Sequence, residues 1–168
     1  DTLSLHDALP ICGEFFLPQL IQSAETAKKA FEVIKSSMQS LGEKKISKGK
    51  ILLATVHGDI HDIGKNIVKI LLENYCFEVI DLGKDVPTDE IVKIAKQENI
   101  KLIGLSALMT TTVKNMEDTI KSIRENNINC SIMVGGAVLT KSYAKMIGAD
   151  FYASDASEGV KIALEFFS

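Results

Sequence analysis

The stretch ILLATVHGDIHDIG, residues 51–64, decides how this chain folds. Its first six residues, Ile51 to Val56, are apolar or β-branched and read as a strand. Asp59 to Gly64 then form a short polar loop with a terminal glycine, and Ile67, Ile70 and Leu71 continue at helical spacing. Strand, loop and helix in this order open an α/β domain, with the loop at the carboxyl end of a strand. Ligands of open parallel sheets bind at that edge. A single imidazole, His61, two residues after a carboxylate, Asp59, can supply a metal ligand together with the group that orients it.

Downstream, strand and helix signals alternate. Strands are expected over residues 77–82, 101–107, 131–134 and 151–153. Helices are expected from Thr88 through Ala95, over Val113 to Ile123, over Tyr143 to Ile147 and over Glu158 to Phe167. Five strands with intervening helices predict a flavodoxin-like, Rossmann-like doubly wound parallel sheet of order 2-1-3-4-5, its switch point between the first and third strands. The His61 loop, the Ser106 loop and the Gly135-Gly136 loop should then open on one edge.

Upstream, Leu17, Leu20, Ile21, Ala24, Ala27, Phe31, Ile34 and Met38 recur in steps of three and four, which predicts an amphipathic helix from Phe15 to about Leu41. Residues 1–12 do not continue that pattern and resemble translated adapter read-through, so they are expected to be a non-native tail. Residues 13–48 form a partial helical cap and polar linker in this reading, and residues 49–168 form the α/β domain.

Composition limits what the edge can serve. The 168 residues are 46% hydrophobic and 24% charged, with a net charge of −3 from interspersed signs, so nucleic acid is not an expected partner. No apolar run approaches the roughly 18 residues of a membrane span, and a cytoplasmic location is the expectation. Three widely spaced cysteines without C-x-x-C spacing read as reduced thiols. A P-loop fails, because five residues separate Gly58 from Gly64 and Lys65 is followed by Asn66. A phosphoacceptor receiver would need an aspartate where this chain has Ser106 and Ala107. A hydrolytic metal site from His57, Asp59, His61 and Asp62 would draw all its ligands from one loop, which such sites seldom do. A single protein ligand to a metal already held by an organic cofactor fits best.

These residues resemble a known family. Asp59-x-His61-x-x-Gly64, then Ser106-x-Leu108 with Thr110 and Thr112, then Gly135-Gly136, are similar to the cobalamin-binding domain of methionine synthase and related corrinoid proteins. Phe16 to Ala24 resembles the last helix of the cap bundle that precedes that domain in methionine synthase. The resemblance implies cobalamin, as methylcobalamin, with His61 as lower axial ligand to cobalt in place of the cofactor's own base. Asp59 would accept the other ring N–H and Thr112 would stand next in the relay, so Asp59, His61 and Thr112 are the implied reactive set. Gly64 would let the cofactor approach the backbone. Ser106, Leu108 and Thr110 would contact the displaced nucleotide tail, and Gly135 and Gly136 would leave the slot in which a side chain would obstruct it. Leu17 and Leu20 would cover the upper face of the corrin.

The resemblance further implies a module that carries a methyl group between homocysteine- and methyltetrahydrofolate-binding domains in methionine biosynthesis. Such a fragment is not expected to turn over alone. Two alternatives share the pattern: a corrinoid protein serving other methyltransferase subunits in a methanol or methylamine system, and a cobalamin-dependent sensor. Taken without the resemblance, Ser106, Thr110 and Thr112 would serve equally well as helix caps.

Overall fold

A computed structural model describes residues 47–168, which form one compact unit. The expected cap helix, with Leu17 and Leu20, lies outside the described residues, as does the tail over residues 1–12. Strands β1 (Lys50–Thr55), β2 (Glu78–Asp81), β3 (Leu102–Ser106), β4 (Ser131–Gly135) and β5 (Phe151–Ala153) alternate with helices α1 (Ile63–Asn74), α2 (Thr88–Gln97), α3 (Val113–Glu125), α4 (Lys141–Met146) and α5 (Ala156–Phe166). All pairings are parallel, in the order β2-β1-β3-β4-β5, as the sequence predicts. The chain leaves β1 toward β2 and returns to β3 on the other side, so the switch point lies where Thr55 pairs with Ser106.

Both faces of the sheet are covered, which is why its central strands read as continuous apolar runs. Leu52, Ala54 and Val56 join Ile103, Ile132 and Val134 under Ile91, Ala95, Met116, Ile120 and Ile123 of α2 and α3. Ile51, Leu53, Leu102 and Met133 face the other way, under Leu72 of α1 and Val160 and Ala163 of α5. The closing helix starts two residues before the predicted Glu158, because the Asp155 side chain accepts the Glu158 N–H at 2.9 Å and caps it. No helix among the described residues is long and apolar enough to cross a membrane.

Helix α1 departs from its sequence reading. Ile67 and Ile70, whose spacing announced the helix, are 48% and 56% exposed, while Lys65 and Leu72 are buried. The helix carries two apolar stripes, one through Ile63, Ile67 and Ile70 and the other through Val68 and Leu72. Periodicity reports that a helix exists but is blind to which of two stripes meets the sheet.

The buried Lys65 explains the choice. Its ammonium is ion-paired with Asp81 at the end of β2 and also reaches Asn66 Oδ1 at 3.0 Å. Asp81 further accepts the Gly83 N–H at 2.9 Å and lies 3.4 Å from Lys69 Nζ. Burial pushes the Asp81 carboxyl up, but Lys65, the Gly83 N–H and Lys69 together hold it below its ordinary range. Removing one member of a buried pair strands the other charge, whereas replacing both by apolar groups is often neutral. Lys65→Met is therefore expected to cost about 2–3 kcal/mol, and Lys65→Met with Asp81→Leu to recover most of it. Urea denaturation of the two variants checks this; a double variant as unstable as the single one would show that the pair does not act as a unit.

Candidate functional site

The loop after β1 is held in place before any ligand is considered. The Asp59 N–H donates to Val56 O at 3.1 Å, the Asp85 N–H to Asp59 O at 2.9 Å, and Asp85 Oδ1 accepts the Gly58 N–H at 2.6 Å. His57, exposed at the rim, pairs with the same carboxylate at 2.8 Å. The backbone around Asp59 is thereby clasped to the segment that follows β2.

Asp59 is fully buried, and both of its oxygens are used. Oδ1 accepts the His61 backbone N–H at 3.0 Å and lies 2.8 Å from His61 Nδ1. Oδ2 accepts the Leu108 N–H at 2.7 Å and the Met109 N–H at 3.2 Å, and lies 2.7 Å from the Thr112 hydroxyl, which is also 2.9 Å from Met109 O. Burial raises the Asp59 pKa, but the His61 and Leu108 N–H groups, the Thr112 hydroxyl and the His61 ring outweigh it and hold the carboxyl far below its usual range. The carboxylate is charged at neutral pH, so the proton on the shared edge belongs to Nδ1. His61 then presents Nε2 as a lone pair, on a side chain 44% exposed.

Beside this imidazole a cleft of about 580 Å³ opens between the sheet and helices α1 and α5. His61, Gly64, Ser106, Leu108, Gly135 and Gly136 all line it, so the three loops converge as expected. Asp59 and Thr112 stand behind the imidazole. The hydroxyl residues are no longer ambiguous: Thr112 precedes α3 but makes no cap bond, and Ser106 Oγ shares a 2.8 Å hydrogen bond with Thr55 Oγ1.

Two of the expected residues stand apart from the rest. Thr110 does not line the cleft. Asp59 draws Leu108, Met109 and Thr112 inward, which leaves Thr110 and Thr111 exposed at the tip of the turn. Gly136 lines the cleft, and the neighbouring backbone already requires glycine at this position. Its φ is +141°, and a Cβ there would come within 1.9 Å of Ala107 O, so the adjacent backbone requires glycine whatever the cleft holds.

The sequence reading missed the inner end of the cleft, where Leu53, Gly104, Met133, Ala153 and Gly159 are all buried. A glycine in the middle of β3 was the available signal, since such a residue often marks close approach of a ligand.

The cleft fits a large cofactor that brings its own metal. Gly64 lies in the first turn of α1 without a positive φ, and a Cβ built on it would meet nothing within 4 Å. Glycine costs a helix up to about 1 kcal/mol relative to alanine, and nothing among the described residues accounts for it here. A group resting against that turn would. Among the described residues no cluster of three His, Cys, Asp or Glu side chains could hold a metal ion, so the one-loop metal site does not form there.

Comparison with known proteins agrees. Residues 49–161 match the B12 binding domain family. A dimethylamine corrinoid protein of Methanosarcina acetivorans is 42% identical over 158 residues, 93% of this chain and 74% of that protein. The monomethylamine corrinoid protein structure from Methanosarcina barkeri superposes with a TM-score of 0.68 at 35% identity, covering 90% of this chain and 72% of the other. A chain of the methanol:cobalamin methyltransferase complex of the same organism gives 0.76 at 31% identity, covering 97% and 60%. These relatives are named for methylamines and methanol. They support the corrinoid-protein alternative over the methionine synthase reading, and with it other methyltransferase subunits over homocysteine and folate domains.

Proposed function

This chain belongs to the B12-binding domain family of corrinoid proteins, and on that premise we propose that it carries methyl groups on cobalamin for a cytoplasmic methyltransferase system that demethylates methylated amines. Cobalamin is its cofactor. Relatives named for dimethylamine at 39–43% identity support an amine as the methyl source, and among the solved structures the monomethylamine corrinoid protein is 35% identical against 31% for the methanol complex. The catalytic subunit that delivers the methyl group would be a separate partner.

The observation that carries the reading is the Asp59–His61 pair at the mouth of the cleft. His61 Nε2 would ligate the metal, with Gly64 against the cofactor and the inner cleft receiving its nucleotide tail. When bound, cobalamin supplies a cobalt that accepts and donates a methyl group. The chain's own part is to set the donor strength of that ligand. Asp59 keeps the Nδ1 proton and makes the imidazole a stronger base. Thr112, 2.7 Å from the other carboxylate oxygen, can pass a proton toward or away from the pair.

Electron paramagnetic resonance of the cobalt(II) form tests this. Protein grown with heavy-nitrogen histidine should change the nitrogen coupling, and His61→Ala should abolish the histidine contribution. A coupling indifferent to histidine labelling would mean that cobalamin retains its own base and would sink the assignment.

A further inference from the structure

We infer that Gly159 sets the size limit of the cobamide lower base that this protein accepts. This rests on the cobalamin reading and concerns selectivity within it. The cleft runs from an exposed mouth at Ile60, His61 and Ile63 to a buried, apolar inner end between β1, β3 and β4 on one side and α1 and α5 on the other. Only a narrow, largely apolar part of a ligand can enter that end, and the aromatic base of a displaced nucleotide tail has that character.

Gly159 lies within α5, where alanine is the better helix former. Its φ is not positive, so its backbone does not demand glycine. A Cβ there would lie 3.7 Å from Val68 Cγ1 and 3.8 Å from both Ala153 Cβ and Met133 Cε, all ordinary contacts. The chain alone would thus accept alanine without strain. Val68, Ala153 and Met133 all line the cleft, however, so a methyl at 159 would join α5 to α1 across its floor. The other inner glycine offers no such freedom: a Cβ at Gly104 would fall 2.6 Å from Leu53 Cδ2. Gly159 is therefore the position at which the width of the inner cleft can vary without cost to the fold.

The test measures binding of three probes to the full chain: cobalamin, the cobamide whose lower benzimidazole lacks both ring methyls, and cobinamide, which has no lower base. One methyl group in an apolar pocket discriminates by about tenfold or more. Gly159→Ala should weaken cobalamin by about that factor and the smaller-based cobamide by less. Cobinamide should be unaffected. Val68→Ala combined with Gly159→Ala, which removes bulk opposite the added methyl, should restore cobalamin binding, while the circular dichroism of both variants and the melting of Gly159→Ala match the parent. Unchanged cobalamin affinity in both Gly159→Ala and Gly159→Val would overturn the inference, as would equal loss for all three probes. If the parent binds none of the probes, the cobalamin reading itself falls, an outcome distinct from parent binding with an indifferent Gly159.

Discussion

Asp59→Ala is expected to destabilise the protein by about 3–5 kcal/mol, a large part of the total stability of a domain of this size. The substitution leaves the Leu108 and Met109 N–H groups without their carboxylate acceptor, leaves the buried Thr112 hydroxyl only Met109 O, and frees the His61 ring. Chemical denaturation reads the loss, and a change below about 1 kcal/mol would show that water replaces the carboxylate readily. Asp59→Asn separates charge from shape. Both oxygens accept only from donors, so an amide NH2 must face donors on one side or the other. If it faces His61, the ring can answer only by moving its proton to Nε2, which removes the lone pair offered to the cleft. The asparagine variant should fold less stably and lose histidine ligation together.

The same carboxylate predicts a pH dependence. Folding holds Asp59 below its ordinary range, so its contribution is fully present above the unfolded value of about 4. It is lost as pH falls through the folded value. Acid titration of stability should therefore be shallower in Asp59→Asn than in the parent.

Gly136→Ala is expected to be as damaging as any substitution in the domain, at about 3 kcal/mol or more. The new Cβ would meet Ala107 O at 1.9 Å and Ala107 C at 2.9 Å, and the backbone there would have to adopt φ +141° with a side chain. Ala107 cannot retreat freely, because its N–H donates to Gly135 O at 3.3 Å just past the paired ends of β3 and β4. Poor soluble yield and a lowered melting temperature of the cofactor-free protein are the expected results. A variant that melts like the parent yet fails to retain cobalamin would return Gly136 to the role the sequence suggested, a spacer for the tail. Gly159→Ala provides the contrast, since alanine there meets only ordinary contacts.

What the sequence determined by itself is what depends on neighbours along the chain. Apolar runs and helical periods located all ten described elements and the sheet order, because a doubly wound parallel sheet buries both faces and leaves few other ways to connect such elements. Asp59 and His61 were legible as a pair because two residues in one loop place a carboxylate beside an imidazole in almost any geometry. The tertiary structure decided whatever joins distant segments. The partners of the second Asp59 oxygen lie 49 to 53 residues away and depend on the register between β1 and β3. That register separates Thr112, held at the carboxylate, from Thr110, left on the surface. It also sets Gly136 against Ala107, Lys65 against Asp81, and Gly159 across the cleft from Val68. No local pattern marks such contacts, because each becomes a contact only after the sheet has brought its two sides together.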